Sequence, residues 1–85
     1  MAKTTDPMEA DLIAIAGRLR TAREWRGIGS RELGAAAGLS EAAVSSIEGG
    51  RVRRAEVRTL FRLADALRVR RAWLVAGDGL PEASK

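Results

Sequence analysis

The chain has no cysteine, no histidine and no tyrosine. Without cysteine it cannot be a disulfide-stapled miniprotein, a zinc ribbon or a thiol enzyme, so stability has to come from packing. Without histidine it lacks the usual general base at neutral pH, the Ser-His-Asp triad and any His-ligated metal site. Most enzyme classes go with it, and a non-enzyme is expected. Aromatic residues are scarce too: Trp25, Phe61 and Trp73 are the full set, which favours small helices packed through Leu, Ile, Val and Ala. No apolar run approaches the roughly 20 residues needed to cross a bilayer. Residues 1–11 also lack the basic-then-apolar order of a signal peptide, so a soluble, cytoplasmic protein with no membrane partner is expected. Gly77-Asp78-Gly79 has neither the length nor the lysine of a phosphate loop, and no carboxylate group has metal-ligand spacing. No cofactor or metal is expected.

What the chain has is arginine. At 85 residues it forms one domain at most, with a net charge of +4 and a pI near 11.0. Thirteen of the fifteen basic residues are arginine, whose planar fork grips phosphate and guanine edges bidentately. The charge is segregated, with +3 over residues 12–29, +6 over 51–71 and a negative balance elsewhere. Arg51, Arg53 and Arg54 meet no acidic neighbour before Glu56 and repel one another unless an anion lies close. Arg18, Arg20, Arg26 and Arg31 are weaker candidates, since solvation of a helix face explains them equally well.

The apolar spacing is helical throughout. Asp6-Pro7-Met8-Glu9 reads as a capped helix start, and Leu12, Ile15, Ala16, Leu19 and Ala22 form one stripe that ends near Gly27. Gly29 or Ser30 caps a second helix over 31–37, stopped by Gly38. Ser40 caps a third, with Glu41 at its positive end, running to Glu48 before Gly49-Gly50. Val57, Leu60, Phe61, Ala64 and Leu67 predict a fourth helix, Val69 a turn, and 71–75 a short fifth helix. Residues 81–85 read as a frayed tail. The small residues of Gly34-Ala35-Ala36-Ala37-Gly38 are read as packing between the second and third helices.

Two short helices joined by a tight turn, the second followed by a basic loop, are the sequence form of a DNA-binding helix-turn-helix. Over residues 15–79 the chain resembles the phage-repressor-like (Cro/Xre) helix-turn-helix family in the segments IAGRLRTAREWRGI, RELGAAAGLSEAAVSSIEGGR, LFRLADAL and AWLVAGDG. The resemblance implies an all-α, five-helix, lambda-repressor-like domain over 8–79, with an N-terminal arm at 1–7 and a C-terminal tail at 80–85. It also implies an ion pair between Arg23 and Glu48 across the first and third helices. The chain departs from the family pattern in several places. Ser30 stands where a glutamine commonly opens the second helix, and Glu41, Ala42 and Ala43 replace the long polar readers of the third. The basic loop lacks the common proline.

The expected function is a transcriptional regulator, a small dimeric repressor that binds double-stranded DNA and acts by occupying its operator. Glu41, accepting from cytosine N4, Ala42, touching a thymine methyl, and Ser46 are the expected base readers. The alternative role for Glu41 is only to complement the helix dipole. Ser30, Arg31, Arg51, Arg53 and Arg54 are the expected phosphate or minor-groove contacts. Leu74, Val75 and Leu80 are expected at a homodimer interface. Two rivals remain: an antitoxin or restriction-control regulator that binds a second protein through its C-terminal region, and a protein-interaction module that has lost DNA binding.

Overall fold

The structure, a computed structural model, describes residues 7–51 and 55–82, with side chains from Leu12 onward. Asp6 and the side chain of Glu9, read as a capping box, lie outside the described residues, as do Arg53 and Arg54. The chain folds as five helices: α1 (Pro7–Arg26), α2 (Ser30–Ala37), α3 (Glu41–Glu48), α4 (Val57–Leu67) and α5 (Arg71–Ala76). No strand is present among the described residues beyond an isolated antiparallel bridge between Val69 and Glu82.

The α1 stripe of Leu12, Ile15, Ala16, Leu19 and Ala22 is buried along its whole length, and α1 packs against α3, α4 and α5. Leu33 and Ala37 from α2, and Val44 and Ile47 from α3, complete one side of the same core. Its centre is almost entirely aliphatic, and Trp73 packs against it only partly buried.

The face of α4 differs from the expected one. Leu60, Leu63, Ala64 and Leu67 are buried, whereas Val57 is 54% exposed. This i, i+3, i+4, i+7 set is a tighter helical face than the one that begins at Val57. The turn after α4 is made by Arg68, with φ of 59°, while Val69 itself is buried. This turn is tied down by the tail: Arg70 N donates to Pro81 O at 3.0 Å, and Glu82 pairs with Val69. The first two residues of the stretch read as frayed are therefore held against the α4–α5 turn.

Leu74 requires a further correction. It is fully buried in the core and cannot serve a partner chain. Its carbonyl and that of Val75 belong to the end of a helix, where intrahelical partners run out. Arg18 supplies the missing donors, through Nε to Leu74 O at 2.8 Å and Nη2 to Val75 O at 3.2 Å. Arg26 does the same for α4, with Nε on Leu67 O and Nη2 on Arg68 O, both at 2.8 Å. Two arginines of α1 thus close the C-terminal ends of two other helices.

Candidate nucleic-acid interface

The geometry of α2 and α3 is set by two local features. At Gly34 a Cβ would fall 2.6 Å from Leu39 O, so only glycine lets the turn pass this close to α2. Gly38 takes the left-handed conformation (φ 76°) that ends α2, and Leu39 N returns to Gly34 O at 2.7 Å. Ser40 then caps α3, its hydroxyl accepting from Ala43 N at 3.0 Å. With Val44 and Ile47 turned into the core, Glu41 and Ala42 are left exposed at the front of α3, and Ala43, Ser45 and Ser46 half-buried beside them.

Along the second half of α3, at Ser45, Glu48 and Gly49, lies a polar bowl of about 290 Å³ where α1, α2 and α3 meet. Ser30, the first residue of α2, lines it together with Arg20, Ser45 and Arg51. Gly29 precedes α2 as its cap and contributes no side-chain hydrogen bond. Arg51 N donates to Ser46 O at 3.0 Å, and its guanidinium folds over the end of α3, where a Cβ on Gly49 would fall 2.5 Å from Nη1.

Arg23 and Glu48 form one wall of the bowl. Arg23 donates from Nε and Nη2 to the two carboxylate oxygens at 2.5 and 3.1 Å, and from Nη1 to Ile28 O at 3.0 Å. The hydrogen bond to Glu48 raises the Arg23 guanidinium above its already high value, against the opposing effect of burial. The pair neutralises itself, so the positive field of the bowl comes from Arg51 and from Arg20, which is only loosely shared with Glu24 at 3.7 Å.

The structure therefore brings together Ser30 and Arg51 from the expected phosphate contacts, and adds Arg20 and Ser45. Arg31 is exposed but does not line the bowl. Arg18 and Arg26, which sequence reasoning ranked with Arg20, differ from it in being tied to helix ends. Nothing in the spacing of the arginines separates these roles, because the distinction depends on where α4 and α5 end. Of the residues expected at a dimer face, Val75 is half-buried against the core and Leu80 is 70% exposed.

A family model described as a helix-turn-helix domain matches residues 14–74, from the second turn of α1 into α5. The chain belongs to the helix-turn-helix family. The match contains the whole α2–turn–α3 unit and all of the residues that line the bowl. No solved structure matches the chain. In the helix-turn-helix unit α3 holds the place of the second helix, the one that enters the major groove in DNA-binding members of this motif. Eight residues at 1.5 Å each give a helix of about 12 Å, matched to a major groove about 12 Å wide. Among the described residues no helix is long and apolar enough to cross a membrane, and no cluster of acidic side chains could hold a metal ion.

Proposed function

We propose that this helix-turn-helix protein is a sequence-specific transcriptional regulator, a small cytoplasmic homodimer that represses by occupying its operator. The supporting observation is the exposed front of α3 on a helix whose second half borders the cationic bowl of Ser30, Arg20 and Arg51. In this reading Glu41, Ala42 and Ser46 face the bases. Ser30, Arg31, Arg51, Arg53 and Arg54 hold the phosphate backbone or enter the minor groove. The exposed Leu80, with Val75, supplies apolar surface to the second copy. A two-fold dimer sets its recognition helices on half-sites about one helical turn apart, which requires a palindromic operator. No catalytic step is involved.

The test is electrophoretic mobility on the DNA upstream of the protein's own gene and on an unrelated duplex, each at two salt concentrations. Phosphate contacts carry affinity without sequence information. Arg51→Ala, Arg53→Ala and Arg54→Ala should each weaken both duplexes alike and lower the salt slope by about one counterion. Glu41→Ala should change the ranking of duplexes while non-specific binding holds or rises. Negligible affinity at low salt, unaltered by the arginine substitutions, would leave the protein-interaction reading in its place.

A further inference from the structure

The front of α3 carries a restricted set of chemical groups. The helix sequence from Glu41 to Glu48 contains no Arg, Lys, Asn or Gln, the side chains that recognise guanine or adenine bidentately. The hydroxyl of Ser40 is engaged as the cap acceptor for Ala43 N. What remains facing outward is the acceptor-only carboxylate of Glu41, the methyl groups of Ala42 and, half-buried, Ala43, and the half-buried hydroxyls of Ser45 and Ser46.

Base edges in the major groove sort sharply against such a surface. Guanine presents two acceptors, N7 and O6, and repels a carboxylate. Adenine sets its N6 donor beside the N7 acceptor, and thymine offers the O4 acceptor with its C5 methyl. Cytosine alone gives Glu41 a donor, N4, with no acceptor on the same edge. Next to N4 on that edge lies C5, the carbon that carries the methyl group in thymine and in 5-methylcytosine. Ala42, one residue beyond Glu41 and equally exposed, is the group that can meet it.

We propose that α3 reads pyrimidines from their C5 edge, with Glu41 accepting from cytosine N4 and Ala42 packing on a C5 methyl of that base or of the next pyrimidine. The ligand is thus duplex DNA whose half-site turns C5-methylated pyrimidines toward α3, and cytosine methylation strengthens binding. This rests on the DNA-binding reading above and names the chemistry of the same site. Burying one methyl group corresponds to about a fourfold gain in affinity.

A duplex selected from a randomised pool by the full-length protein is resynthesised with single base analogues. Deoxyuridine for thymidine should weaken binding about fourfold at one or two positions of each half-site. 5-Methylcytosine at the pair contacted by Glu41 should tighten it by a similar factor, and 7-deazapurines, which lack the N7 acceptor, should have no effect. In Ala42→Gly affinity for the selected duplex should fall about fourfold, and the response to C5 methylation should vanish. Ala42→Ser, a smaller perturbation of the helix, should reduce it and serves if the glycine variant melts early. Glu41→Gln, which adds a donor, should relax the preference for cytosine. Binding that ignores every C5 change, or that is lost with 7-deazapurines instead, overturns this inference while leaving DNA binding intact. Failure to bind any duplex at low salt overturns the DNA-binding reading itself.

Discussion

Replacing Glu48 by alanine should be among the most damaging single changes outside the aliphatic core. The Arg23 and Glu48 side chains are 17% and 8% exposed, so neither is well solvated if the other is removed. Breaking one partner of a fully buried pair costs about 3–5 kcal/mol, and an exposed pair is worth about 0–1 kcal/mol. In Glu48→Ala the guanidinium loses two charge-assisted hydrogen bonds but keeps the one to Ile28 O, and its edge reaches the polar bowl. The loss should therefore fall below the buried range, at about 2–3 kcal/mol. For a domain of this size each kcal/mol moves Tm by about 4–8 °C, which gives a drop of about 8–24 °C. Calorimetry of the wild type, Glu48→Ala, Arg23→Ala and the double variant measures it, and the cycle should return a coupling above about 1 kcal/mol. Glu48→Gln, which retains one acceptor, should lose less. Arg20 and Glu24, 65% and 64% exposed in their side chains, form the internal control, and Glu24→Ala should stay within about 0.5 kcal/mol. An unchanged melting curve for Glu48→Ala, or an additive cycle, refutes the argument.

Gly34→Ala should destabilise the domain by about 1–3 kcal/mol, because its Cβ meets the backbone carbonyl of Leu39 and not a side chain that can swing away; thermal melting measures the loss. Leu74→Ala should cost about 2–5 kcal/mol as a core cavity, whereas Leu80→Ala should shift sedimentation toward the monomer and lower Tm only by the stability the dimer contributes, a difference that disappears on dilution. The bidentate hydrogen bonds from Arg71 hold the Asp65 carboxyl below its ordinary value. A depressed carboxyl stabilises the fold above its unfolded pKa, about 3.9, and loses that contribution as pH falls through the folded value. Asp65→Asn should flatten the fall of Tm below about pH 4, by a small margin since both side chains are half-exposed.

Much of this architecture can be read from local signals. The stripe on α1, the glycine after α2 and the serine before α3 are each decided within a turn or two of chain, and each stands where spacing and capping chemistry put it. The errors are all non-local. Leu63 and Val57 exchange roles because the buried face of α4 is chosen by what packs on it. Leu74, expected at a dimer face, is covered completely because α5 packs against both α1 and α4. The tail pairs with the α4–α5 turn through backbone groups, which leave no trace in side-chain patterns. At the interface, Ser30 and Arg51 are legible as polar and basic residues next to helix ends. That Arg20 joins them from another helix depends on the angle at which α1 crosses the unit.

The helix-closing arginines imply two regimes of evolutionary replacement within one residue type. If position 51 only has to set a cation near a phosphate, as in the proposed interface, lysine keeps the essential property and substitution can drift between the two. At 18 and 26 the requirement is directional: two N–H groups in a fixed plane must reach two neighbouring carbonyls. A lysine ammonium, a single point of charge on a flexible stem, cannot span that pair. Basic charge on the proposed DNA side can therefore be lost or gained while positions 18 and 26 stay arginine, and the isoelectric point alone is a poor gauge of how many arginines are free to meet a phosphate.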